Sequence, residues 1–284
     1  MSGSETVYGP TVSNRPANLP DFERPPLVEV NLGIEFGALR PMRAAHVGLF
    51  WSGLRADYPA LQEQPPLNSA IERFDEPDPP FSISFEFAES PPPLRAWLLS
   101  PDSSRLLQIQ NDRFIHNWRR MTPEAPYPRY ETVRDEFSTR LQQFTSFVKA
   151  EELGTVDVVQ AEVNYVNELV AGDVWQGPSD LGEVVTMWKA SEVAGLRTPE
   201  EVRVVERHRV ETDDGAPARL YISLTPRPNV GGKAAALLTL TVRGRPTDGP
   251  EGISGFFDFG RQLIVRTFAG VTTSAMHTLW RRTN

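Results

Sequence analysis

Two short stretches decide how this chain reads: Glu29-Val30-Asn31-Leu32 and Glu162-Val163-Asn164-Tyr165. Around the first, Val28, Val30, Leu32, Ile34 and Phe36 alternate with Glu29, Asn31 and Glu35. A period of two puts apolar groups on one face of a strand and polar groups on the other. Around the second, Val159, Ala161, Val163 and Tyr165 alternate with Gln160, Glu162 and Asn164. Both stretches predict half-buried strands, and the repeated Glu-Val-Asn gives the two the same polar face.

Working outward, a similar order of elements follows each strand. After the first, Leu39, Met42, Ala45 and Leu49 recur at helical spacing up to the Tyr58-Pro59 stop. Residues 62–80 form a Pro-rich connector, and strands are expected over 81–87, 96–99, 105–110 and 113–119, the last two turning at Asn111-Asp112. The clearest helix covers 130–148, with Tyr130, Val133, Phe137, Leu141, Phe144 and Val148 on one stripe and Gly154 beyond its end. The second round predicts a short helix over 180–189, strands over 202–211, 218–225 and 235–243, and a helix over 254–269. A short terminal helix capped by Thr272 or Thr273 closes it.

The expected fold is therefore α+β, an internal duplication of a β-α-β(3-4)-α unit with mainly antiparallel sheets and helices packed on one face. Residues 1–24, rich in Gly, Ser, Asn and Pro, read as a flexible N-terminal arm; 25–154 form the first half, and 155–284 the second half plus the short C-terminal helix. The halves form either two similar subdomains or one continuous sheet. Such a tandem plan resembles the saddle of the TATA-binding protein and helix-grip folds.

Three stretches carry a resemblance to a family: Arg24-Pro25-Pro26-Leu27-Val28-Glu29-Val30, Leu107-Gln108-Ile109-Gln110-Asn111-Asp112-Arg113-Phe114, and Phe268-Ala269-Gly270-Val271-Thr272-Thr273 with His277 and Trp280. They resemble a sporadically distributed bacterial family of uncharacterised proteins of about 250 residues, and the likeness runs from Pro25 onward. The resemblance implies no activity and no catalytic residue. The patchy distribution of that family implies horizontally mobile or defence-linked genes.

Composition narrows the chemistry. The chain has no cysteine, which excludes disulfides, thiolate nucleophiles and Cys-based metal sites and fits a reducing cytoplasm. No apolar run approaches the roughly 20 residues that span a bilayer, so no membrane is expected. A net charge of −8 opposes global attraction to phosphate backbones, making nucleic acid an unfavoured partner. Of 29 basic residues only Lys149, Lys189 and Lys233 are lysines, leaving 26 arginines, a bias attributed first to a GC-rich genome. Arg203, Arg207 and Arg209 alternate on one strand, but Glu201, Glu206 and Glu211 interrupt them.

The four histidines, His46, His116, His208 and His277, lie far apart with no metal-ligand spacing, so no metal or cofactor is expected. Gly252-Ile253-Ser254-Gly255 is one residue too short for a nucleophile elbow, and Gly231-Gly232-Lys233 lacks the spacing of a phosphate loop. Two candidate constellations remain. Glu29, Asn31, Glu162 and Asn164 would converge if the duplicated strands lie side by side, with paired carboxylates available for acid-base work; a solvated sheet face is the plainer reading. Gln108, Gln110, Asn111, Asp112, Arg113, His116 and Trp118 cluster on one hairpin suited to a planar ligand or a partner chain. Against that, Asn-Asp is ordinary turn chemistry, and Phe114, His116 and Trp118 alternate as a face under a helix would. The functional expectation is a non-catalytic binding or interaction module holding a protein partner or small ligand. The alternative is a metal-independent hydrolase or nucleotide-processing enzyme using carboxylates such as Glu29 and Glu162.

Overall fold

The two Glu-Val-Asn strands, β1 (Leu27–Phe36) and β6 (Val158–Val170), pair with each other antiparallel at the middle of one sheet. A computed structural model describes residues 16, 18–75, 94–191 and 193–284. The other strands are β2 (Ala60–Gln64), β3 (Arg95–Leu99), β4 (Arg105–Gln110), β5 (Arg113–Arg119), β7 (Val204–Glu211), β8 (Pro217–Val230) and β9 (Lys233–Gly244). Together they form a nine-stranded antiparallel sheet in the order β2-β3-β4-β5-β1-β6-β9-β8-β7. Of the two arrangements left open by the sequence, the single continuous sheet is the one observed.

Alternation explains which face is buried. Val30, Leu32 and Ile34 pair with Trp118, His116 and Phe114 on one side, and with Tyr165, Val163 and Ala161 on the other. These residues share one face, and all are buried. Two long helices cover that face. Helix α2 (Tyr130–Ala150) buries the Tyr130, Val133, Phe137, Leu141, Phe144 and Val148 stripe, and α3 (Gly249–Val271) buries Ile253, Phe257, Ile264 and Phe268. Phe137 meets Phe257 edge-on at 4.9 Å, and Asp258 of α3 accepts from the Tyr130 hydroxyl at 2.7 Å and from Arg134 at 3.0 Å. Helix α3 approaches the sheet most closely at Gly260, where an added Cβ would lie 2.9 Å from a Val163 methyl. A glycine there lets backbone and strand touch directly.

Several expectations change. The first helix is shorter than its apolar spacing suggests: α1 spans Ala44–Ser52, and Leu39 and Met42 are buried before it begins. Strand β2 starts at Ala60, just after Pro59, and runs into the first residues of the stretch read as connector. The expected strand over 81–87 lies outside the described residues. The expected helix over 180–189 is a 3-10 turn at Pro178–Glu183, followed by buried Val184 and Val185, the latter bridging to Thr272. The arm is anchored within its last residues. Leu19 and Phe22 are buried, and Phe22 packs edge-on against Phe268 and Trp280 at 5.5 and 6.1 Å. At the terminal helix α4 (Ser274–Leu279), Thr273 is the cap, its hydroxyl accepting from the Met276 N–H, while the Thr272 hydroxyl donates to the Phe268 carbonyl. Among the described residues, no helix is long and apolar enough to cross a membrane.

Candidate functional site

The face away from α2 and α3 carries the other half of each strand's alternation, and most of it is polar. Register places Asn31 directly opposite Asn164 at the seam between β1 and β6, with Asn117 of β5 opposite Asn31 and Thr241 of β9 opposite Asn164. A row of hydrogen bonds results. The Trp97 indole N–H donates to Gln108 Oε1 (3.0 Å), and Gln108 Nε2 donates to Asn117 Oδ1 (2.9 Å). Asn117 Nδ2 then donates to both Glu29 Oε1 (2.6 Å) and Asn31 Oδ1 (2.5 Å), and the Thr241 hydroxyl donates to Asn164 Oδ1 (2.9 Å). Turned the other way round, the Asn31 amide accepts from Asn164 Nδ2 at 3.0 Å and donates to Glu29 Oε1 at 2.9 Å, giving up the bond from Asn117 Nδ2. Buried amides such as Gln108 and Asn117 need these partners, because an unpaired polar group out of water is costly.

The asparagines of the first constellation therefore meet, while its carboxylates do not. Glu29 lies opposite Val166 and Glu162 opposite Gly33, so they sit two residues either side of the Asn31–Asn164 pair. At about 3.3 Å per residue that is roughly 13 Å along the strand direction. Each carboxylate has its own partner, Asn117 for Glu29 and Arg243 for Glu162. Burial raises the Glu29 carboxyl above its ordinary value, opposed by the Asn117 hydrogen bond and the Arg119 charge. A carboxyl with a raised value in the folded state favours folding when protonated, and that contribution is lost as pH rises through the folded value. Glu29→Gln is thus expected to raise the melting temperature at neutral pH. The gain should shrink as pH falls from the raised folded value to the ordinary carboxylate value, and a gain that is flat with pH would contradict the assignment.

At one end of the same face, the connector after β2 runs across the sheet as an extended strap from Pro65 to Asp75. Its main chain is held by side chains from below. Gln110 of β4 accepts from the Leu67 N–H (2.9 Å) and donates to the Leu67 carbonyl (3.0 Å). Gln160 of β6 accepts from the Glu72 N–H (2.8 Å) and donates to the Ala70 carbonyl (3.1 Å). Between them, Arg113 donates to the Asn68 carbonyl (3.1 Å) while paired with Glu35 at 3.3 Å. The strap ends over the second half. There Glu72 is bound by Arg219, accepts from the Tyr221 hydroxyl at 2.8 Å, and lies 4.0 Å from Arg243. Burial first, and then the Glu72 carboxylate, push the Tyr221 hydroxyl up, so it remains a proton donor. Phe74 lies against Arg209 and Arg219, with guanidinium carbons 5.5 and 4.7 Å from its ring centre.

The hairpin constellation is divided by the sheet. Gln108, Gln110 and Arg113 lie on the polar face, whereas His116 and Trp118 lie under α2. His116 is fully buried, and its Nε2 is 3.4 Å from Glu136 Oε2, an ion-pair distance rather than a good hydrogen bond. Burial works against ionising Glu136, yet His116 and Arg105 beside it hold its carboxyl below the usual range. Of the three alternating arginines, Arg207 and Arg209 share the polar face, while Arg203 lies just before β7 and pairs with Glu201. Sequence reasoning missed Gln160, Glu35, Glu72, Phe74, Arg219 and Tyr221. The alternation of β1 and β6 marks Glu35 and Gln160 as polar without naming their partners.

A cavity of about 820 Å³ lies elsewhere, between α2 and the start of α3. Phe137, Leu141, Val156 and Ile253 line it together with Asp157 and Arg245, and none of the candidate residues reaches it. Polar residues line it too, Asp157, Arg245 and Asp248 among them, but size and a mixed lining do not by themselves make a site. Among the described residues, no group of three or more His, Asp or Glu is placed to hold a metal ion. No protein-family model, curated protein or solved structure matches this chain. The reading of the site rests on its own geometry.

Proposed function

We propose that this protein is a non-catalytic binding module whose polar sheet face receives an extended polypeptide chain. The observation that carries the reading is the pair of buried glutamines, Gln110 and Gln160, each of which uses both ends of its amide on strap main chain. Contacts of that kind recognise an extended backbone whatever side chains it carries, as strand addition at a sheet edge does. In this chain the occupant is the protein's own strap.

The register supports internal duplication as part of the same proposal. Glu29 faces Arg119 across β1 and β5, and Glu162 faces Arg243 across β6 and β9, with Asn31 and Asn164 each two residues along. One unit repeated about an axis through the Asn31–Asn164 pair produces that match, and the TATA-binding-protein-like saddle belongs with this reading. Membership of the uncharacterised bacterial family is compatible with it and adds no activity. A hydrolase or nucleotide-processing enzyme working through Glu29 and Glu162 is not favoured, since the two carboxylates are separated and individually partnered.

The test is direct. A full-length variant with residues 67–74 replaced by a Gly-Ser segment of equal length exposes the face. It is expected to bind an acetylated, amidated peptide of residues 65–75, followed by fluorescence anisotropy, at least tenfold more tightly than the wild-type chain does. The wild type is disadvantaged because its tethered strap competes at an effective concentration in the millimolar range. If the opened variant keeps its circular dichroism spectrum and binds no peptide, the reading is wrong.

A further inference from the structure

The strap does more than lie on the glutamines, because three of its side chains turn towards the sheet while their neighbours face outward. Leu67, Glu72 and Phe74 are partly buried, whereas Asn68, Ser69, Ala70, Ile71 and Arg73 are exposed. The Glu72 carboxylate is only 6% exposed, against 12% for its Arg219 partner. Its seat is basic: a pocket of about 440 Å³ beside the strap is lined by Arg207, Arg219, Arg243 and Tyr221, with Arg243 shared between Glu72 and Glu162. Phe74 fills the next position, with the guanidinium groups of Arg209 and Arg219 over its ring. A planar guanidinium suits both tasks, gripping a carboxylate and lying over an aromatic face.

On the proposal that this face receives an extended chain, we infer that its partner is a protein segment carrying a glutamate two residues before an aromatic residue. The strap is then a resident pseudo-ligand of the same pattern, Glu72 and Phe74, and partner binding displaces it. The glutamines fix the backbone, and the arginine-tyrosine pocket selects the acidic residue. Positions 71 and 73 carry less selectivity, because Ile71 and Arg73 are exposed.

Four peptides of residues 65–75 test this against the opened variant: the parent sequence, E72Q, F74A, and the double substitution I71S/R73S. The parent and the double variant are expected to bind within about twofold of each other, and E72Q and F74A at least tenfold more weakly. Should the opened chain fail to fold, full-length Glu72→Gln and Phe74→Ala chains, whose own straps are weakened, are expected to take up the parent peptide better than the wild type does. Equal binding of all four peptides would overturn the inference and leave the extended-chain reading standing. Absence of binding by every peptide to every folded variant would remove both.

Discussion

Phe144→Ala is expected to lower folding stability by about 3–5 kcal/mol, the usual range for emptying a buried aromatic site. Phe144 is fully buried, and its ring stacks on Phe114 of β5 at 5.3 Å, meets Phe50 of α1 edge-on at 5.5 Å and lies 6.0 Å from Phe36 of β1. One side chain therefore joins α2, α1 and two central strands. The surrounding rings are anchored in different elements, so they cannot all move in to refill the space. Against a total stability of roughly 5–15 kcal/mol the loss is large. Urea denaturation should show the midpoint falling with little change in slope. A loss below about 1 kcal/mol would mean that α2 is not clamped to the sheet through this ring.

Much of that packing is legible in the sequence, for a physical reason. Phe144 belongs to a stripe at helical period, and Phe36 and Phe114 to strands of period two, so each residue's own neighbours announce its face. The bounds of β4 and β5 follow from the same alternation and the Asn111-Asp112 turn. The hairpin constellation, by contrast, joins residues of unlike parity, and the alternation of Phe114, His116 and Trp118 set against it places His116 and Trp118 where they are found. Arg113 and His116 are three residues apart on one strand, so a strand sends them to opposite faces whatever chemistry they share.

Other features depend on partners that the local sequence does not name. Parallel and antiparallel pairing of β1 with β6 leave the same alternation, yet only the antiparallel register brings Asn31 to Asn164 and drives Glu29 and Glu162 apart. The strap has no periodicity at all. Its main chain is satisfied by Gln110, Arg113 and Gln160, which lie 43, 45 and 88 residues from their partners Leu67, Asn68 and Glu72. An extended segment bound by distant side chains reads in sequence as a Pro-bordered connector. The 3-10 turn at Pro178–Glu183 fell short of a helix because buried Val184 and Val185 leave it to dock beside Thr272.

The second large effect falls on the strap itself. Gln160→Ala leaves the Glu72 N–H and the Ala70 carbonyl without their partner. Removing one side of a buried hydrogen bond costs about 1–3 kcal/mol per group left unsatisfied. The sheet loses little, since Gln160 bonds only to the strap and to Glu35. The cost therefore appears as local lifting of residues 67–74 rather than as global unfolding.

Hydrogen exchange of the strap amides measures that lifting. In the wild-type chain, the Leu67 and Glu72 N–H groups should exchange far more slowly than the same amides in a free peptide. In Gln160→Ala the Glu72 amide should exchange roughly ten- to hundredfold faster, in line with the lost bonds, while β1 and β6 keep their protection. Exchange of both strap amides at free-peptide rates in the wild type would contradict a sheet face built to hold an extended chain.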